Sequence, residues 1–260
     1  MPVGIIGLGV VGGAMYRGFK AAGCEVLGYD IDPDRSQHGF EAALAQEVVL
    51  VSVPTPANGE GRCDLSPVHS VFERAALLGV RGLLVLRSTV PVGTTAALIS
   101  RYPALRIGFS PEFLRKNSAD HDFLNPPMTV FGGDDPQPYF DLMKTVVKNP
   151  GNRWMAMSPS EAELVKLLLN GFAAVKAVFS SELAEFARSM NVDWEKVVAT
   201  AQPEGRLGRH YLAGAGSDGL PGFGGSCLPK DCRMLARQIG AGSILDHAIE
   251  INTRIRGDDV

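Results

Sequence analysis

The first half of the chain alternates short apolar runs with amphipathic stretches. Val3 to Ile6 reads as a buried strand, and a helical pattern follows from Val11 to about Ala22, where Gly23 stops it. Further strands are predicted over 25–29, 47–53, 83–87, 106–109 and 128–131. Helices are predicted between them. One runs from Ser66 to Leu78, with Ser66 as N-cap and Pro67 at the first helical position; another follows Thr95 to about Arg101, and a third covers Pro136 to Val147. Strands that alternate with helices need crossover connections, which places this half in the α/β class with a doubly wound parallel sheet.

From Pro159 the pattern changes period. Residues 161–190 form one long helical run, with Leu164, Leu167, Leu168, Phe172, Val175, Phe179, Leu183 and Phe186 spaced three or four apart. That stripe is a core face or a dimer face. A short helix at 192–198, a Gly-rich stretch, a helix through Cys232–Ile239 stopped by Gly240, and a final helix at 243–256 complete the chain. The break at Pro150-Gly151 predicts two domains, 1–150 and an all-helical 151–260.

The first strand runs directly into Gly7-Leu8-Gly9-Val10-Val11-Gly12, and the second strand closes on Asp30. Strand, GxGxxG, helix, strand and acid occur in the order of a Rossmann-type dinucleotide site. Gly7 permits the tight turn, Gly9 lets a pyrophosphate approach the helix N-terminus, and Gly12 lets helix and strand pack closely. Asp30 suits ribose hydroxyls and repels a 2′-phosphate, which favours NAD over NADP. Arg35 either covers the adenine or reverses that preference. Thr55, Thr89 and Glu112 follow strand ends, so each either lines the crevice at the carboxyl edge of the sheet or is an ordinary loop side chain bonded locally or solvated.

A second constellation lies in the helical half. Gly222-Phe223-Gly224-Gly225-Ser226-Cys227-Leu228-Pro229-Lys230-Asp231 places Cys227 at or just before a helix N-terminus, with Lys230 nearby. Such a cysteine is an activated nucleophile or a structural thiol in a tight turn. Lys166 and Asn170, four apart, share one helix face. They either hold an oxyanion together or are a solvated lysine beside an asparagine. The arginines of Gly205-Arg206-Leu207-Gly208-Arg209-His210-Tyr211 suit a phosphate or a basic surface loop.

Composition narrows the classes. The 260 residues are 45% hydrophobic and 20% charged, with a net charge of −3, which gives no footprint for nucleic acid or an anionic membrane. No signal-peptide n-region and no apolar run of membrane length are evident. The four cysteines (Cys24, Cys63, Cys227, Cys232) lack metal-ligand spacing, so no metal is expected and a reducing, cytoplasmic setting is.

Several stretches agree in order with one family: GLGVVG (7–12), YDID (29–32), SVPTP (52–56), RSTVPVGTT (87–95), SPEFLR (110–115), ELVKLLLN (163–170), GRLGRHY (205–211) and GFGGSCLPKD (222–231). The chain resembles the UDP-glucose/GDP-mannose dehydrogenases. The resemblance implies an enzyme that oxidises the C6 alcohol of a nucleotide sugar, of the UDP-glucose type, to a carboxylate in two NAD-dependent steps. Cys227 is then the nucleophile, passing through a thiohemiacetal and a thioester. Lys166 and Asn170 stabilise the oxygen at the reacting carbon, Asp231 assists, and Glu112 with Thr89 serves thioester hydrolysis. The cofactor residues implied are Gly7, Gly9, Val10, Val11, Gly12, Asp30, Arg35, Val53, Thr55, Pro56, Ser88 and Thr89. Those implied for substrate are Glu112, Phe113, Leu114, Lys166, Asn170, Arg206, Tyr211, Gly224 and Cys227, with Arg206 acting across a homodimer formed through 161–190.

Three features depart from that family. The chain stops after the helix at 243–256, where a C-terminal nucleotide-binding domain is expected. The segment between Arg35 and Glu47 is short, as though one α/β hairpin were missing. Lys116 stands where a second acid is usual. The rival readings are a non-catalytic NAD-binding module and a simpler β-hydroxyacid dehydrogenase, which uses a lysine and needs no cysteine.

Overall fold

Strands that must bury both faces read as unbroken apolar runs, and strands β1 (Val3–Ile6), β3 (Val48–Val51) and β4 (Leu83–Leu86) are fully buried along their length. The structure, a computed structural model, describes residues 2–57, 62–208, 210–216, 218–225 and 227–257. Between and after these strands come α1 (Val10–Ala21), β2 (Val26–Tyr29), α2 (Phe40–Leu44), α3 (Ser66–Leu77), α4 (Thr94–Arg101), β5 (Arg106–Phe109), α5 (Ala119–Leu124), β6 (Met128–Gly132), α6 (Gln137–Lys144) and β7 (Arg153–Met157). The sheet order is β2-β1-β3-β4-β5-β6-β7. Successive residues of a strand point to opposite faces. Val48 and Leu50 accordingly pack with Met15, Phe19 and Tyr139, whereas Val49 and Val51 pack with Phe72 and Leu98. The strand order reverses at β1, between β2 and β3, which puts the ligand crevice of a doubly wound sheet beside the glycine turn.

The expected architecture holds, with differences. β5 and β6 pair antiparallel, through Phe109 and Gly132, so the sheet is mostly rather than wholly parallel. Strand β7 was not expected. It pairs in parallel with all of β6, but Arg153, Met155 and Ala156 are exposed, and an edge strand of that kind carries no apolar run. The chain divides into two compact units, Met1–Pro56 with Asp64–Lys166, which contains β7, and Ala57–Cys63 with Leu167–Val260. Helix α3 starts one residue earlier than expected, with Ser66 already helical and its N–H donated to Asp64 Oδ1 at 2.9 Å.

The short segment after Arg35 covers the sheet edge. The Gln37 and His38 N–H groups donate to Gly28 O at 3.1 and 2.9 Å, and Gly28 N–H donates to His38 Nδ1 at 3.1 Å. An edge strand left bare would invite pairing with another chain.

Helix α7 (Pro159–Ser189) begins in the first unit and continues unbroken into the second. Contrary to expectation, it contains a window long and apolar enough for a membrane span, with mean hydropathy 1.4, although half of that window is buried inside the protein. The second unit adds α8 (Trp194–Ala201), α9 (Leu228–Ile239) and α10 (Ile244–Arg256). Its core joins Ala174, Ala177 and Val178 of α7 to Cys232 and Ala236 of α9, Leu245 of α10 and Phe223 of the preceding loop. Ser243 caps α10: its Oγ accepts Asp246 N–H at 3.1 Å, while Asp246 Oδ2 accepts Gly242 N–H at 2.9 Å. Ser243→Ala is expected to lower stability by about 1 kcal/mol in urea denaturation; an unchanged midpoint would show that Asp246 alone holds the turn.

Candidate active site

The glycine turn has the geometry its spacing predicts. Gly7 lies at φ +90°, and a Cβ there would sit 2.4 Å from Ser52 O. A Cβ at Gly12 would lie 1.7 Å from Gly7 O, so helix α1 approaches β1 as only glycine permits. Gly9 is the exposed N-cap of α1, and no atom lies within 4 Å of where its Cβ would be. Val10 is exposed beside it and Val11 is half-buried. Asp30 closes the turn: Oδ2 accepts Leu8 N–H at 2.6 Å and Oδ1 accepts Asp32 N–H at 2.9 Å. A carboxylate offers about four acceptor sites, so capacity remains for ribose hydroxyls. Arg35 is exposed and pairs with Asp32 at 3.1 Å. An open helix N-terminus, a close-packed glycine turn and an acid after β2 fit a dinucleotide.

Two hydroxyls stitch the loops after β3 and β4. Thr55 Oγ1 donates to Thr89 O at 2.8 Å, and Ser88 Oγ donates to Val53 O at 2.6 Å. Both side chains are buried, while Pro56 is exposed and Thr89 half-buried.

Glu112 and Lys166 form one buried pair, Nζ to Oε1 at 2.8 Å, with side chains 12% and 8% exposed. Glu112 is therefore no solvated loop acid, and Lys166 no solvated lysine. Glu112 Oε2 accepts Leu114 N–H at 2.8 Å, and the Lys166 ammonium stands 6.0 Å from the Phe113 ring centroid. One turn earlier on α7, Glu163 is 1% exposed. Its carboxylate accepts Gly93 N–H at 2.6 Å, Thr95 N–H at 2.7 Å and Thr95 Oγ1–H at 2.6 Å. Burial pushes its pKa up, against the opposing effect of those donors. Lys116 is exposed on the surface of the loop that follows Leu114.

In the second unit Asn170 Nδ2 donates to Asp231 Oδ2 at 2.7 Å, and Asp231 is 2% exposed. Lys230 Nζ lies 2.7 Å from Asp231 Oδ1, an ion pair without hydrogen-bond alignment. Cys227 is the N-cap of α9 and is exposed, as its position before Pro229 predicts. Cys232, one turn further on, is buried, and burial together with the Asp231 charge pushes its thiol up to about 12. Of these two thiols only Cys227 has the exposure that nucleophilic attack needs. Arg206 is exposed and pairs with Glu204 at 2.6 Å. Tyr211 is 48% exposed at φ 64°, and Gly224 is half-buried against Arg256. Arg209 and Ser226 lie outside the described residues.

Sequence reasoning passed over four supporting residues. Arg87 is buried at the end of β4, where its guanidinium donates to Ser110 Oγ and Tyr139 OH. Glu163 stood in a quoted motif without a role. Asn252 and Arg256 hold the cysteine loop from α10. An acid or asparagine inside an otherwise apolar helical stripe was the available signal for Glu163 and Asn252.

The fold and the glycine site define a dinucleotide-binding α/β protein with a helical second unit. Residues 35–149 match the NAD binding domain of the UDP-glucose/GDP-mannose dehydrogenase family, and residues 160–254 match its central domain. The chain belongs to that family, and its cofactor is NAD. It is 34% identical over 239 residues to UDP-glucose 6-dehydrogenase of Pseudomonas aeruginosa, covering 84% of this chain and 51% of that protein. GDP-mannose 6-dehydrogenase of the same organism is 28% identical over 286 residues, covering 90% of this chain and 63% of that one. A UDP-glucose dehydrogenase structure from Pyrobaculum islandicum superposes with a TM-score of 0.85 at 29% identity, over 97% of this chain and 68% of that chain. This chain thus spans about half to two-thirds of the length of these relatives.

Two outcomes follow from the geometry. Gly12→Ala must displace α1 from β1. It is expected to cost about 3 kcal/mol in urea denaturation and to weaken NAD binding in calorimetric titration; undiminished affinity would contradict the assigned turn. At pH 8, iodoacetamide followed by peptide mass spectrometry should label Cys227 at least ~100-fold faster than Cys232, whose thiol stays protonated below about pH 12. Comparable labelling would contradict the burial of Cys232.

Proposed function

We propose that the chain is the catalytic part of an NAD-dependent nucleotide-sugar 6-dehydrogenase, with UDP-glucose as the most fitting substrate and a carboxylate as product. The observation that carries this reading lies in the second unit, where Asn170 of α7 is held by Asp231 in the first turn of α9, the helix that the exposed Cys227 caps. In the first unit Lys166 is held by Glu112. When bound, NAD supplies the hydride acceptor. Its holders are Gly7, Gly9, Gly12 and Asp30, with the stitched loops of Val53, Thr55, Ser88 and Thr89 beside them.

The protein's own groups then have distinct tasks. In the first oxidation the alcohol gives its proton to water and its C6 hydride to the acceptor, leaving an aldehyde. The Lys166 ammonium and the Asn170 amide donate to that oxygen as negative charge develops on it. The Cys227 sulfur adds to the aldehyde carbon and makes a tetrahedral adduct, from which a hydride departs more easily than from a bare aldehyde. The product of that step is a thioester. Glu112 takes a proton from water, the water oxygen bonds to the acyl carbon, the C–S bond breaks, and the thiol is reformed. Asp231 holds Asn170 in place, and by the resemblance Thr89 is the partner of Glu112 in the hydrolysis. Each alcohol consumed takes up one water and yields two NADH.

We further propose a homodimer in a cytoplasmic setting. Leu164, Leu168, Phe172, Phe179 and Phe186 are 47 to 64% exposed along α7 and recur at helical spacing. A second copy on that stripe would bring Arg206 to the neighbouring substrate.

Purified protein, NAD and a panel of UDP-glucose, GDP-mannose, UDP-N-acetylmannosamine and simple sugar phosphates test the reading. The expected yield is two NADH per substrate, and Cys227→Ser should lower acid formation at least ~1000-fold. NAD binding without NADH from any of the panel would favour the non-catalytic module, and an active Cys227→Ser would make the cysteine structural.

A further inference from the structure

The segment that delivers Cys227 is held from behind by α10. Asn252 is 1% exposed, and its amide grips the main chain of Phe223 on both sides. Oδ1 accepts Phe223 N–H at 2.7 Å, and Nδ2 donates to Phe223 O at 3.0 Å. This is the two-bond exchange that a hydrogen-bonded residue pair makes in an antiparallel sheet, supplied here by one planar side chain. One turn further along α10, Arg256 donates to Pro221 O at 3.0 Å and pairs with Asp218. From α7, Ser181 Oγ accepts Gly222 N–H at 2.7 Å. Three successive residues are thus tethered.

The glycines of the loop answer to these tethers. A Cβ at Gly222 would lie 2.2 Å from Asn252 Oδ1, and one at Gly224 would lie 2.4 Å from Arg256 Nη2. Both glycines admit side chains of α10. Gly225 has nothing within 4 Å, so the loop opens only as it nears Cys227.

We propose that Asn252 is a positioning residue for Cys227. It fixes the Phe223 peptide groups and so sets where the N-cap of α9 presents its thiol. The proposal rests on the dehydrogenase reading for the role of that thiol. The side chain must carry a donor and an acceptor on one plane at peptide spacing. Aspartate keeps only the acceptor, and alanine leaves two buried main-chain groups without partners.

Hydrogen exchange by mass spectrometry and steady-state kinetics on Asn252→Ala and Asn252→Asp test it. Exchange over 221–227 should rise about tenfold or more in each variant, with the interiors of α9 and α10 unchanged. With UDP-glucose, kcat should fall about tenfold or more while KM stays within about threefold. Unchanged exchange at 221–227 would overturn the proposal. So would an equal rise across α9 and α10, an unchanged kcat, or failure of both variants to fold, since each marks a general structural role or none. If only Asn252→Ala fails to fold, Asn252→Asp is judged by the same criteria. No NADH from the unsubstituted chain would overturn the dehydrogenase reading and the nucleophile role with it; the exchange pattern alone then decides whether Asn252 holds the loop.

Discussion

A buried carboxylate near the start of α7 ties the first turns of that helix to the turn that opens α4. Glu163 accepts three hydrogen bonds from the Gly93–Thr95 turn while almost wholly out of water. Burying an acid is unfavourable unless donors meet it, and here two main-chain N–H groups at the start of α4 and one hydroxyl do so. Lys166 follows Glu163 after nearly one turn, and its position against Glu112 is set by the same anchorage. The pair with Glu112 holds the Lys166 side chain in one place.

The second unit also holds its polar side chains through buried partners. Asp231 sits in the first turn of α9, where a carboxylate is favoured by the helix dipole, and it orients the Asn170 amide. Asn252, Arg256 and Ser181 tether the three residues that precede the open end of the loop. The outcome is a thiol exposed at a helix cap on a loop that is otherwise pinned. Cys232, one turn away, shows the alternative fate of a cysteine in this unit, buried and held protonated.

Much of this was legible in the sequence because it rests on local signals. Continuous apolar runs identified the buried strands β1, β3 and β4, and the spacing of Gly7, Gly9 and Gly12 identified a turn whose steric reasons the structure bears out. Pro229 and Gly240 bracketed α9. What escaped depends on contacts between distant segments. Strand β7 has a half-exposed, mixed sequence and exists because β6 offers a free edge. The antiparallel step at β5 and β6 has no local signature. The burial of Lys166 and Glu112 depends on residues 54 apart in sequence. Side chains of α10 occupy the space that a Cβ at Gly222 or Gly224 would need, a contact no local pattern announces.

The central claim is that Cys227 carries the substrate between the two oxidations. Glu112→Gln, incubated with NAD and UDP-glucose and quenched in acid, should slow release of the thioester. Mass spectrometry of the peptide containing Cys227 is the direct measurement. The account predicts an acyl adduct on the Cys227 sulfur in step with NADH formation; NADH accumulating while Cys227 remains unmodified would contradict it.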